Sequence, residues 1–182
     1  APAEGELASA LVGKGRMEEP ENIFAYLKDF LEHSADSAME NVPAPQRGKL
    51  LLTAGPTHEY IDPVRFIGNC STGKMGYALA EAAAEAGFEV ELVSGPTDLT
   101  VHHPLIHRTD VTSAAEMHEA AARIFGDCRA AILCAAVADF TPANRATKKI
   151  KREATGEWNI PLKPTADIAK ALGERKTKGQ VL

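Results

Sequence analysis

The densest run of residues able to do chemistry lies between positions 55 and 76: Gly55-Pro-Thr-His-Glu-Tyr-Ile-Asp-Pro-Val-Arg-Phe-Ile-Gly-Asn-Cys-Ser-Thr-Gly-Lys-Met-Gly76. Its second half nearly meets the Walker A spacing, Gly68-x-x-x-x-Gly73-Lys74, but Met75 stands where a hydroxyl must hold Mg²⁺. The glycines also lie well beyond the end of the strand expected before them, which disfavours a P-loop NTPase. The physics of the motif survives. Asn69, Ser71, Thr72 and Gly73 precede a helix start, whose first N–H groups lack intrahelical partners and favour an anion. Helix capping by Ser71 or Thr72 would account for the hydroxyls alone. It leaves unexplained the clustering of Asn69, Gly73 and Gly76 with Arg65 upstream.

A second constellation follows a buried apolar run: Ala135-Ala-Val-Ala-Asp139-Phe140. Small residues there let a planar group approach the main chain, and Asp139 stands where strand ends address ligands. A turn or a helix cap is the plainer role for that aspartate. Six residues on, Arg145-Ala-Thr-Lys148-Lys149-Ile-Lys151-Arg152 carries five bases and no acid. A carboxylate near such a patch suits a metal-nucleotide complex, although a solvated loop explains most charge runs. His102-His103-Pro104-x-x-His107 has no acidic or cysteine partner at ligand spacing and reads as a surface loop. Cys70 beside Asn69 has no identifiable base, so packing is its expected role. No G-x-G-x-x-G follows any expected strand, and no G-x-S-x-G elbow occurs.

These residues need a scaffold, and the hydrophobic pattern supplies one. Lys49–Ala54, Phe88–Ser94 and Arg129–Ala135 are short apolar runs of the kind buried in a parallel sheet. Between them, Lys74–Ala86 reads as a small-residue helix stopped at Gly87, and Ser113-x-x-Glu116 as a capping box opening a helix to about Phe125. Trp158, Ile160 and Leu162 alternate like a half-buried edge strand, and Thr165–Arg175 reads as a helix. Strands alternating with helices predict an α/β fold, a Rossmann-like parallel sheet with flanking helices. Upstream, Ile23, Phe24, Leu27, Phe30 and Leu31 recur at helical spacing from Pro20, and 34–48 reads as a linker. The chain stops on Val181-Leu182 as an apolar stretch begins, the pattern expected of a piece of a longer protein.

Composition narrows the function classes. The 182 residues carry a net charge of −5 and are 45% hydrophobic, which is ordinary for a chain that buries a core. Residues 49–182 balance 16 acids with 16 bases, so neither a nucleic-acid surface nor a membrane partner is expected. Three unpatterned cysteines fit no disulfide framework and no structural zinc, and a reducing cytoplasm is expected.

At this point the sequence resembles a known family. Thr53-Ala-Gly-Pro-Thr-x-Glu59-x-Ile-Asp62-Pro-Val-Arg65-Phe-Ile-x-Asn69-x-Ser71-Thr-Gly-Lys74-Met-Gly76 is similar to the signature of phosphopantothenate–cysteine ligase. Val93-Ser-Gly-Pro96, Ala135–Asp139 and Lys149-Ile-Lys151-Arg152 follow in the family's order. Upstream, Gly5-Glu-Leu-Ala-Ser9 and Gly13-x-Gly15-Arg16-Met17 resemble the tail of the flavin-dependent phosphopantothenoylcysteine decarboxylase, which bacteria often fuse to the ligase. The usual cysteine proton donor of that tail is Ser9 here.

The resemblance implies residues 1–33 as a decarboxylase remnant, 34–48 as the joint and 49–182 as a CTP-binding ligase domain lacking its C-terminal block. The implied reaction belongs to coenzyme A synthesis. CTP converts the carboxylate of 4′-phosphopantothenate into an acyl-cytidylate, which L-cysteine then attacks. By similarity Asn69 and Lys149 are catalytic. Leu133, Cys134, Ala135, Asp139 and Lys149 bind the nucleotide, and Asp139 contacts its Mg²⁺. Arg65, Asn69, Ser71, Thr72, Gly73 and Gly76 bind phosphate. FMN is implied only for the decarboxylase domain, and a homo-oligomer for the full-length protein. A fragment of this extent is expected to be poorly active. An NAD(P)-type Rossmann module without ligation is the alternative, and the missing glycine fingerprint counts against it.

Overall fold

The structure, a computed structural model, describes residues 3–6, 12–16, 19–33, 47–151 and 158–182. Contacts divide the chain into two units, Ala1–Pro43 and Ala44–Leu182. Ser9 and residues 34–46 of the expected linker lie outside the described residues. In the first unit β1 (Ala3–Glu6) pairs antiparallel with β2 (Val12–Arg16), a hairpin with no sustained alternation to announce it. The expected helix follows as α1 (Pro20–His33).

The second unit opens with β3 (Lys49–Ala54), whose Leu50, Leu51 and Leu52 are fully buried. A small antiparallel hairpin comes next, β4 (His58–Tyr60) and β5 (Phe66–Gly68). Then come α2 (Lys74–Glu85), β6 (Glu89–Ser94), β7 (Ile106–Asp110), α3 (Ala114–Ile124) with a 3₁₀ turn at Phe125–Asp127, and β8 (Ala130–Leu133). β9 (Phe140–Pro142) and β10 (Leu162–Pro164) form an outlying antiparallel pair, and α4 (Ile168–Arg175) follows. The main sheet is parallel, in the order β7-β6-β3-β8, and Val181 bridges to Ala130 beside β8.

That order is the expected α/β fold, a parallel sheet flanked by helices. The chain leaves β3 toward β6 and β7, then returns to the other side of β3 as β8, so β3 and β8 flank the point where strand order reverses. With right-handed crossovers, α2 and α3 fall on opposite faces of the sheet. Pleating sorts the buried strand residues accordingly. Leu51 and Val93 join Met117, Ala121 and Phe125 of the α3 side, with Ile168 and Leu172 of α4. Leu50, Leu52 and Leu92 point the other way and are equally buried. The capping box forms as expected. Glu116 N donates to Ser113 Oγ (3.3 Å), and Ser113 N to Glu116 Oε2 (3.1 Å).

Three expectations need correction. The strand expected over Trp158–Leu162 is confined to Leu162–Pro164 and is exposed throughout, because among the described residues β9 is its only strand partner and the main sheet lies elsewhere. The histidine run is not all surface loop. His107 lies in β7, an edge strand whose one buried residue is Ile106, and its Nε2 stands 3.4 Å from Glu89 Oε1. The helix expected from Thr165 begins at Ile168, capped by Asp167, whose carboxylate accepts from Lys170 N at 2.9 Å.

Candidate functional site at the strand ends

Two Gly-Pro-Thr sequences shape the carboxyl edge of the sheet. Ala54 and Ser94 are register partners on adjacent parallel strands, so Gly55-Pro-Thr57 and Gly95-Pro-Thr97 leave the sheet side by side. Gly95 N donates to Ala54 O (2.9 Å), and Gly55 turns with φ +74° against the Gly95 carbonyl. The two threonines then hold the neighbouring loops. Thr57, fully buried, accepts from Ala138 N (2.9 Å), and Thr97 Oγ1 donates to Thr72 O (2.8 Å).

The glycine-rich loop between β5 and α2 is thereby set over the end of β3. Gly73 caps α2 with φ +79°, and a Cβ there would meet Gly55 Cα at 3.2 Å. Ser71 Oγ accepts from Gly73 N at 3.3 Å within the loop, and α2 itself has no side-chain cap, so the expected capping by Ser71 or Thr72 is not made. Asn69 reaches further. Its Nδ2 donates to Ala136 O (3.2 Å) and Val137 O (3.1 Å), tying the loop to the chain leaving β8.

Two cavities adjoin this tie. One, of about 980 Å³, is lined by Asn69, Ser71, Thr72 and Thr97, with Arg108 opposite. The other, of about 360 Å³, is lined by Thr53, Leu133, Ala135, Val137 and Asp139, and by the start of α4. Thr165 pins that rim, donating from N to Asp139 O (2.9 Å) and from Oγ1 to Ala138 O (2.7 Å). Between residues 134 and 138 the main-chain donors are largely spent. Cys134 N bonds Thr53 O, Ala135 N Thr53 Oγ1, Ala136 N Gly55 O and Ala138 N Thr57 Oγ1. A base read by this stretch would meet carbonyls, which accept from exocyclic amino groups.

The structure therefore divides the expected site residues. Asn69, Ser71 and Thr72 share one cavity, and Leu133, Ala135 and Asp139 share the other. Cys134 lines neither, and burial pushes its thiol up, away from the thiolate. Gly73 and Gly76 are buried packing positions. A Cβ on Gly76 would stand 2.5 Å from Ala54 Cβ, so close helix–strand approach, not phosphate, requires the glycine. Lys149 is exposed and lines neither cavity. A third cavity, of about 620 Å³ beside Arg145 and Lys163, is lined by none of the expected site residues.

Arg65 also differs from its expected role. Its Nε donates to Asp62 Oδ2 (3.0 Å) and its Nη2 to Ile150 O (2.8 Å), while its Cζ lies 4.6 Å over the Trp158 ring. The guanidinium is engaged in structure rather than aimed at a ligand. Asp62 is fully buried and accepts from Val64 N, Arg65 N, the Arg65 side chain and Ile150 N. Burial alone would push its carboxyl up. The bonds from Val64, Arg65 and Ile150 outweigh it and hold the group well below the usual carboxylate range.

A depressed carboxyl stabilises the fold wherever the unfolded carboxyl is ionised, and the benefit is lost as pH falls below about 4 toward the folded pKa. Melting temperature measured from pH 7 to 2.5 is expected to show this loss in the wild type. Asp62→Asn should start lower and lack that part of the acid limb. Parallel curves would refute the assignment.

The expected Mg²⁺ contact at Asp139 gains no support from its surroundings. Among the described residues no three His, Cys, Asp or Glu side chains converge, so the protein builds no cation cage there. His58 and Phe66, the rings beside the larger cavity, stack on each other with centroids 3.7 Å apart.

Fold and cavities define a doubly wound α/β domain with two cavities at the carboxyl edge, where strand order reverses. Residues 46–182 match the family described as DNA/pantothenate metabolism flavoprotein C-terminal domain, and the chain belongs to that family. It is 52% identical over all 182 residues to a cysteine/cysteine sulfinic acid decarboxylase from an unknown prokaryotic organism, covering 49% of it. It is 49% identical over 182 residues to the coenzyme A biosynthesis bifunctional protein CoaBC of Bacillus subtilis (strain 168), covering 43%. The chain thus spans about half the length of these relatives or less.

A crystal structure of the C-terminal domain of a CoaBC protein superposes with a TM-score of 0.63 at 43% identity, over 77% of this chain and 65% of that one. A Cab2 mutant complexed with phosphopantothenate-cysteine shares the fold alone, at 17% identity and a TM-score of 0.60 over 89% of this chain and 68% of that one. These findings correct the resemblance to phosphopantothenate–cysteine ligase. The matching family is described as the C-terminal domain of a flavoprotein, and the relatives named here are a decarboxylase and a bifunctional protein, not a ligase. Among the described residues no helix is long and apolar enough to cross a membrane.

Proposed function

We propose that this domain serves coenzyme A biosynthesis, and that its two adjoining cavities hold a nucleotide and a small phosphorylated acid side by side. The observation that carries the reading is the Asn69 amide, bonded to the carbonyls of Ala136 and Val137. It makes one continuous wall of the glycine-rich loop and the small-residue stretch after β8. Small side chains at Ala135 and Val137 suit a flat base, and the carbonyl-rich main chain suits the amino group of cytosine. The finer reading is therefore CTP, with 4′-phosphopantothenate as the acid and Mg²⁺ arriving on the nucleotide's phosphates beside Asp139. Attack of a carboxylate on a phosphate sets like charges together, so it needs donors and cations around the phosphates. The loop ahead of α2 supplies donors, and the exposed lysines near 149, outside both cavity walls, are the cations that would have to reach the phosphates. The relatives' coenzyme A biosynthesis, and a cytoplasmic place for it, come to this chain as parts of the same reading.

Calorimetric titration with MgCTP, MgATP, FMN and 4′-phosphopantothenate tests it. Binding of MgCTP ahead of MgATP, and no binding of FMN, is expected. Pyrophosphate release should require MgCTP and 4′-phosphopantothenate together. Saturable FMN binding, or indifference to every nucleotide, would overturn the reading.

A further inference from the structure

The segment that carries the lysines is fastened to the β4–β5 hairpin at successive points. Arg145 Cζ lies 4.9 Å over the Tyr60 ring, and Ala146 N donates to Ile61 O at 2.9 Å. Ile150 is held at both of its flanking peptide groups. Its N–H donates to Asp62 Oδ2 (3.1 Å), and its carbonyl accepts from Arg65 Nη2 (2.8 Å). Asp62 and Arg65 are themselves joined, so one ion pair, buried on its Asp62 side, grips the residue between Lys149 and Lys151. The side chains of Lys148, Lys149 and Lys151 are exposed and make no ion pair among the described residues.

A fixed main chain bearing exposed ammonium groups is what anion binding favours, because less chain entropy is lost when the ligand arrives. The pair also has more structure than a turn requires. The Asx-type bonds from Val64 N and Arg65 N would close the turn without any contact to Ile150.

We propose that Asp62, acting with Arg65 through the main chain of Ile150, is the positioning residue that sets where Lys149 and Lys151 meet a polyphosphate. The inference rests on the reading given under Proposed function and adds the device that aims its cations. Neither Asp62 nor Arg65 need touch the ligand. Their effect must pass through the two lysines, and that can be measured.

Binding of MgCTP and of inorganic tripolyphosphate to this chain is titrated for the wild type, Arg65→Gln, Arg65→Lys and Asp62→Asn, and for each in a Lys149→Gln/Lys151→Gln background. Amide exchange at Ile150 is followed in parallel. Arg65→Gln is expected to speed exchange at Ile150 and to weaken both probes by about tenfold, the loss of one charge-assisted contact. It should weaken them no further once the lysines are gone, and Arg65→Lys should restore only part of the affinity. A merely structural role would lower affinity equally in both backgrounds. That result, or faster exchange with unchanged affinity, would overturn the inference. Because Arg65 is half-exposed, its variants keep the test open even where Asp62→Asn does not fold. If the wild type binds neither probe, the underlying reading fails as well. If it binds and only the coupling is missing, the positioning role alone fails.

Discussion

Gly95→Ala should cost the domain more than about 4 kcal/mol, which is exceptional for the addition of one methyl group. A Cβ at position 95 would stand 1.6 Å from Pro56 O and 2.8 Å from Pro56 C. Both atoms are main chain, so no side chain can swing aside to admit it. Nor can the loop simply retreat. Gly95 N is bonded to Ala54 O, Gly55 is turned with positive φ against Gly95, and Thr57 is bound to Ala138 N. Relief would require parting the ends of the two central strands. Gly126→Ala is the control, since a Cβ there meets nothing within 4 Å. Urea unfolding followed by circular dichroism should show Gly126→Ala near the wild type and Gly95→Ala largely unfolded without denaturant. A Gly95→Ala midpoint within experimental error of the wild type would mean that the paired Gly-Pro-Thr turns are not packed as described.

The same two turns show what the sequence could and could not convey. Lys49–Ala54, Phe88–Ser94, the α2 region and the Ser113/Glu116 box were legible because buried strands, small-residue helices and caps each leave a local pattern. The β4–β5 hairpin left none. Its three-residue strands are too short for alternation to rise above a loop, and its register depends on contacts made elsewhere. β7 was missed for a related reason, as an edge strand with one buried residue keeps no apolar run.

Side-chain type drew attention to Asn69, yet its bond to two carbonyls has no counterpart in the sequence, because a carbonyl has no letter of its own. Arg65 looked like a free cation. The signal against that lay three residues upstream, where Asp62 opens an Asx-type turn and can pair with it. Gly76 was read as part of an anion loop although the physical demand comes from Ala54, far away along the chain. The repetition of Gly-Pro-Thr at 55–57 and 95–97 was the overlooked cue. Two adjacent parallel strands that end on the same tripeptide announce a shared edge, and Thr57 and Thr97 are the residues that fasten the site loops to it.

Phe125→Ala is the second substitution with a large expected effect, and it concerns the face of the sheet that carries α3 and α4. Phe125 is 2% exposed and packs in a cluster with Leu51, Val93, Met117, Ala121, Ile168 and Leu172. Truncating a buried phenylalanine costs about 3–5 kcal/mol, the upper part of the range applying where neighbours cannot collapse into the void. Collapse is obstructed here on two sides. Leu51 belongs to the central strand of the sheet, held on one side by β6 and on the other by β8. Ala121 and Ala131 have no side-chain length with which to fill space. The main chain at 125 is also fixed, because its carbonyl accepts from Cys128 N (3.0 Å) and from Gln180 Nε2 (2.9 Å). That second bond ties the segment after α4 to the same turn, so a void at 125 should loosen residues 168–181 together with α3. With an m-value of about 2 kcal/mol/M for urea, a loss of about 4 kcal/mol moves the midpoint down by about 2 M. Phe140→Ala and Leu162→Ala, whose side chains are half in solvent on the outlying β9–β10 pair, should each move it by less than about 0.5 M. Equal shifts for Phe125→Ala and Phe140→Ala would show that the α3–α4 face does not carry the stability assigned to it.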